Sequence, residues 1–247
     1  SGFFLGLSAV SFFVTAGDYY VAVTGTDTNT GASWGNAFYS LTNAVAQSGD
    51  GDTIHVSNGI YQITAQLLLD RAVTLRGFNG ASNTTIDCDV PGNTTPPIRI
   101  THAGAILEGF RIIDCNELTY HNYGPINASA GTVRHCIING NNCVSSGGGY
   151  ISGSAFIHSC IITGNVASHY NTGMGAGLRV AGGVVSNCFI ARNQSADGGG
   201  GIYQTGGLVQ QCIISNNTAT RSSGGAKGAG LWITAGRMEN CLIIANR

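Results

Sequence analysis

Only 9% of the 247 residues are Asp, Glu, Lys or Arg, so a place where such groups gather is a place to look for chemistry. They gather once, over Asp87, Asp89, Arg99, His102, Glu108, Arg111, Asp114, Glu117 and His121. Carboxylates among cations suit acid/base work on a sugar, or oxygen ligation of calcium. Within this set Asp87, Asp89, Arg111, Asp114, Glu117 and His121 form the candidate substrate-binding group, their outward positions stacking into a shallow groove. The plainer reading of the same residues is ordinary solvated strands and loops, and none is assigned a catalytic role.

Elsewhere the chemistry is thin. Lys227, the single lysine, lies in a Gly/Ser loop without neighbouring acids, and His55 and His169 have no acidic or cysteine neighbour in the sequence. Arg134, His135, His158, Arg192, Arg237 and Glu239 do not fall at equivalent positions that suggest one shared site. No CxxC or HxxxH pair supports a zinc site. A net charge of −1 gives no basic face for a phosphate backbone, which argues against nucleic acid as a partner. Asn127 and Asn193 each open a glycosylation-type triplet, a pattern too short to assign a sugar.

The elements that position these residues are set by a repeat. Cys136, Cys160, Cys188, Cys212 and Cys241 recur at spacings of 24, 28, 24 and 29 residues. Ten residues before them lie Ile126, Tyr150, Leu178, Ile202 and Leu231; five residues after lie Asn141, Asn165, Asn193, Asn217 and Asn246. Both offsets survive while coil length varies, so the insertions fall in loops such as 167–175 and 219–228. Few residues separate the strands and no helix pattern intervenes, so parallel pairing must come from stacked coils and not from βαβ crossovers. The expected fold is all-β: a right-handed single-stranded parallel β-helix, a solenoid with a short N-terminal capping helix, its 38 glycines serving the turns. The early coils are less regular, and aligning Leu107 with Val133 places Phe110 at the cysteine position.

Residues 1–17 read as a secretory signal truncated at its start, because 2–16 is apolar, ends in small residues and is too short to span a bilayer. Residues 18–61 read as an N-terminal cap with the first strands. Within them 37–47 carries Phe38, Leu41, Ala44 and Val45 at helical spacing, a lid for the first rung. Residues 62–247 read as the β-helix, incomplete at its C-terminus.

Residues stacked on successive rungs sit about 4.8 Å apart with parallel side chains, whereas a disulfide needs side chains that converge. The five repeat cysteines are therefore expected as an inward ladder of reduced thiols. Each repeat Asn can take left-handed backbone geometry at a corner and bond to the Asn above and below. Ile137, Ile161, Phe189, Ile213 and Leu242, next after each cysteine, fall opposite the cysteine and opposite Ile138, Ile162, Ile190, Ile214 and Ile243. That predicts an exposed apolar stripe suited to self-association, unless a bend at the cysteine turns both neighbours inward.

The N-terminal stretch, with Tyr19-Tyr20-Val21, Gly25-Thr26-Asp27, Ser33-Trp34-Gly35-Asn36-Ala37-Phe38, Gly51-Asp52-Thr53-Ile54 and Gly59-Ile60-Tyr61, resembles the start of bacterial secreted β-helix proteins of the pectin-lyase-like superfamily. The repeats, as in Gly199-Gly200-Gly201-Ile202-Tyr203 and Val209-Gln210-Gln211-Cys212-Ile213-Ile214, are similar to those of anchored surface proteins and polymorphic outer-membrane autotransporters. The resemblance implies a secreted or cell-surface stalk or adhesin that presents loops to an extracellular polysaccharide or to a host or neighbour cell surface, without cofactor. The alternative is a carbohydrate-active enzyme, a polysaccharide lyase or glycoside hydrolase, for which calcium is an expected cofactor. Against it, the pectate-lyase-like Arg-x-Pro-x-x-Arg run is absent, as are the Asn-Thr-Asp, Asp-Asp and Arg-Ile-Lys motifs of polygalacturonase-like enzymes.

Overall fold

Strands of three residues, such as Thr132–Arg134 and Ile137–Asn139, bury a single side chain each, Val133 and Ile138. Pieces this short are stable only with partners on both edges, which coiling supplies. The computed structural model describes residues 15–89, 97–116, 123–169, 171–220 and 227–247, and it is a right-handed parallel β-helix. One coil runs Ile126–Ala128, Thr132–Arg134, Ile137–Asn139 and Asn142–Cys143 before a loop leads to the next.

Three long faces result. The first stacks Asp18–Val21, Thr53–Val56, Thr74–Gly77, Ile106–Glu108, Thr132–Arg134, Phe156–His158 and Val184–Ser186 in parallel. The second stacks Leu67–Leu69, Ile98–Ile100, Ile126–Ala128, Tyr150–Ile151 and Leu178–Val180, and the long strands Ile202–Gln210 and Leu231–Glu239 run through both faces. The third runs from Gly59–Gln62 through Ile137–Asn139 to Leu242–Ile244, with a short fourth stack begun by Asn142–Cys143. One continuous apolar core, from Val21 to Ile214, fills the coils. The sole α-helix among the described residues, Leu41–Gln47, is capped by Ser40 Oγ, which accepts from the Asn43 N–H, and it buries Leu41, Ala44 and Val45 against the first coil. It starts four residues later than its periodicity predicts. Phe38 is extended instead, its N–H donating to Tyr20 O and its carbonyl accepting from the Ala22 N–H, so its burial comes from strand bridging.

Besides a glycine corner such as Gly131 or Gly183, two left-handed residues recur at fixed places in these coils. One precedes the cysteine position (Gly109, His135, Ser159, Asn187, Gln211, Asn240), and the other precedes the ladder Asn (Asp114, Gly140, Gly164, Arg192, Asn216, Ala245). The left-handed geometry therefore belongs to the neighbour of each Asn, and the Asn is kept for its hydrogen bonds. Asn141, Asn165, Asn193 and Asn217 are at most 1% exposed, and each Nδ2 donates at 3.0 Å to the Oδ1 of the next Asn, ending at Asn246.

Because the bend precedes the cysteine, alternation through it is preserved. Cys136, Cys160, Cys188 and Cys212 are buried thiols, and Phe110 continues their ladder at 0% exposure. Ile138, Ile162, Ile190 and Ile214 also point inward, while Ile161, Phe189, Ile213 and Leu242 are 42–54% exposed and Ile137 is half-buried. The stripe faces outward. One expected alignment fails: Tyr150 pairs with Asn127 and Arg179, so it stands one place beyond Ile126 and Leu178. Gly149, with φ near 158°, takes the inward position and lets the tyrosine turn out.

Candidate functional site

On the first face Ile54, Leu75, Leu107, Val133, Ile157 and Val185 are fully buried, so their neighbours project outward. Parallel register lines these up as one column: Tyr20, His55, Arg76, Glu108, Arg134, His158, Ser186, Gln210 and Glu239. From His55 to His158 the column spans about 19 Å at one rung spacing per step.

Glu108 is its centre. Arg134 donates through Nη2 and Nε to Glu108 Oε2 at 2.7 and 3.1 Å, and His135, at the left-handed corner, holds Nδ1 3.6 Å from Oε1. Burial opposes ionisation of Glu108, yet the hydrogen bond and charge of Arg134, joined by Arg76 and His135, keep its carboxyl below the ordinary value. His158 shifts the other way in charge. Partial burial, then the charges of His135 and Arg134, lower its pKa below the ordinary 6.5, so its imidazole is neutral at pH 7. It stacks on Phe156 at 4.6 Å and meets Ser159 Oγ at 3.3 Å. Two arginines around one carboxylate leave an excess of positive charge on this strip, beside a neutral imidazole.

No family model matches the sequence, and no curated protein matches it. Solved structures do. A rhamnogalacturonan lyase aligns with a TM-score of 0.65 at 13% identity, covering 94% of this chain and 69% of the lyase. A pectate lyase aligns at 0.61 and 15% identity over 94% of this chain, which spans 63% of that protein's length. A pectin methylesterase from Aspergillus niger aligns at 0.52 and 11% identity, with 93% and 86% covered. The likeness is one of fold, a parallel β-helix.

In this β-helix the column continues into an aromatic end. Tyr20 lies edge-on to Trp34 at 4.8 Å and stacks on His55 at 5.4 Å, and His55 meets Phe78 edge-on at 6.0 Å. Trp34, Ser57, Asn58, Phe78 and Asn79 line an open cleft of about 340 Å³, with Trp34 and Phe78 41% and 50% exposed. A sugar ring can lie against such aromatic faces while the asparagine amides meet its hydroxyls. His55, which lacks an acidic neighbour in the sequence, gains one in space, with Nε2 2.9 Å from Asp18 Oδ1.

The residues grouped from the sequence divide among the faces. Asp87 and Arg111 lie in neighbouring strands of the third face, with Asp114 at its corner and Asp89 just beyond; Glu117 and His121 lie outside the described residues. Arg111 donates to Asn139 Oδ1, and Asp87 Oδ1 accepts the Asp89 N–H. Arg99 sits on the second face and Glu108 on the first. A coil wraps its own residues around three sides, so sequence neighbours part and residues one coil away meet. For that reason Arg134 and His158, not expected from the sequence at equivalent positions, stand in register on adjacent coils, with Glu108 on the other side of Arg134. On the second face Arg179 lies between Tyr150 and Tyr203 at 5.6 and 5.5 Å, Tyr203 packs on Trp232 at 4.6 Å, and Lys227 Nζ lies 4.5 Å from the Trp232 ring centre. These groups are engaged with one another along the stack.

Proposed function

We propose that the chain binds an acidic polysaccharide along the first face and cleaves it by β-elimination. The observation that carries this reading is the in-register column Arg76, Glu108, Arg134 and His158. Arg76 and Arg134 would hold uronate carboxylates, with Glu108 orienting Arg134. In β-elimination a base removes the proton beside the carboxylate, its electron pair forms a carbon–carbon double bond, and the glycosidic oxygen departs with a proton. His158, neutral at pH 7, suits the base, the guanidinium of Arg134 suits the charge that builds on the carboxylate, and exposed His135 suits the proton donor. The aromatic cleft beside His55 suits a less charged sugar of the same polymer.

Two of the aligned structures are named as lyases of pectic polymers, which supports the carbohydrate-active alternative over the display role. The missing sequence motifs do not count against it, because the column collects its residues from separate coils. Among the described residues no three His, Cys, Asp or Glu side chains gather as a metal site. In this reading arginine supplies the positive charge that calcium supplies in the sequence-based alternative. A polymer substrate would fit a protein that works outside the cell.

The full chain incubated with polygalacturonate, with a rhamnose–galacturonate heteropolymer and with alginate is expected to generate unsaturated uronate ends on at least one of them. The acid limb of the rate should lie below pH 6.5, since the His158 pKa is depressed and the base stays unprotonated until the pH falls that far. Reducing ends without unsaturation would point to hydrolysis, and no cleavage of any polymer would overturn the proposal.

A further inference from the structure

Three thiols stand apart from the five-membered ladder: Cys88, Cys115 and Cys143, each at most 2% exposed. In the ladder every Sγ–H is turned back to the carbonyl two residues earlier, at 3.2–3.3 Å, as Cys136 is to Arg134 O and Cys188 to Ser186 O. Such side chains run parallel from rung to rung. Cys143 differs in its neighbours: its Sγ lies 3.3 Å from Cys115 Sγ and 3.5 Å from Cys115 O, both on the coil before.

The convergence has a positional cause. Cys115 takes the place that an asparagine holds in later coils, its N–H donating to Asn141 Oδ1 at 3.0 Å. Cys143 lies two residues past that Asn141 on the next coil, and the Asn142 N–H between them donates to Cys115 O at 2.9 Å. The two cysteines therefore face each other diagonally across a corner instead of in register. Diagonal side chains can converge, as a disulfide requires, where in-register ones run parallel.

We propose that Cys115 and Cys143 form an oxidation site that closes to a disulfide joining two successive coils, with a small-molecule disulfide as the oxidant. Each thiol gives up its proton, one bond forms between the two Sγ atoms, and the two electrons and two protons convert the oxidant's disulfide into two thiols. The sulfurs must approach by about 1.2 Å to reach bonding distance, a movement that small side-chain rotations on both residues supply. Burial means the bond closes during folding or local opening and is then shielded. Cys88 is held protonated by burial, with Cys143, Asp87 and Asp114 adding to the effect, and a protonated thiol does not attack the finished bond.

The test is to fold the full chain in a mixture of oxidised and reduced glutathione, count thiols after denaturation and map the linked peptides. The expected count is six, the eight cysteines less two, with Cys115 joined to Cys143 and a Tm roughly 5–10 °C above that of the reduced protein. Cys143→Ala should keep all seven of its thiols under the same treatment. If that variant fails to fold, the peptide map of the unaltered chain still decides. Eight thiols retained in the unaltered chain, or a bond formed among Cys136, Cys160, Cys188 and Cys212 instead, would overturn the proposal.

Discussion

Replacing Asn193 with Ala is expected to lower the unfolding free energy by about 4 kcal/mol, a large change for one side chain. Asn193 is 1% exposed and serves three partners at once. Its Nδ2 donates to Ile162 O and to Asn217 Oδ1, both at 3.0 Å, and its Oδ1 accepts the N–H and the Nδ2 of Asn165, also at 3.0 Å. Alanine would remove a partner from the Ile162 carbonyl, the Asn165 N–H and one N–H of the Asn165 amide, whose other N–H still reaches Ile138 O, in a site closed to solvent. Each stranded group costs about 1–3 kcal/mol, part of which local relaxation recovers. Asn171→Ala, at an exposed loop position, should stay within about 0.5 kcal/mol. Denaturant unfolding of the two variants measures both, and a loss under about 1 kcal/mol at Asn193 would show that the ladder is not what holds this corner.

Arg134→Ala is expected to weaken binding of a uronate oligosaccharide about 100-fold, because it acts twice. It removes a cation from the middle of the column, and it leaves Glu108, now without its 2.7 Å partner, less well compensated near an acidic ligand. A lost charge-assisted bond and a new repulsion, at about 1.5 kcal/mol each, together account for about two decades of affinity. Arg134→Lys should fall between, since an ammonium keeps the charge but loses the planar fork that reaches Glu108 through Nε and Nη2. Arg111→Ala removes a cation from the third face and should leave affinity unchanged. Titration calorimetry at low salt separates these outcomes; equal losses at Arg111 and Arg134 would mean that only overall charge matters.

The fold was legible because stacking repeats one chemical environment, and cysteine, isoleucine and asparagine at fixed offsets mark it. Phe110 was placed correctly by aligning Leu107 with Val133, a pairing the structure contains. The same alignment, read one residue further, puts Arg134 beside Glu108. Two residues before each cysteine position stand Glu108, Arg134, His158, Ser186, Gln210 and Glu239, so the column was encoded at a constant offset. Its members differ in type, whereas core ladders repeat theirs, so repetition does not reveal it. Clustering along the sequence misled for a geometric reason: Arg99, Glu108 and Arg111 fall within thirteen residues yet occupy three different faces. Tyr150 slipped because a glycine can occupy an inward place that every other coil fills with an aliphatic side chain, and spacing alone does not reveal that.

The most direct test of the account is a crystal structure of the full chain with a uronate oligosaccharide bound. The account predicts the sugar along the first face, with carboxylates in hydrogen-bond reach of Arg76 and Arg134 and a ring carbon beside His158. An oligosaccharide seated instead on the third face, at Asp87, Arg111 and Asp114, would contradict it.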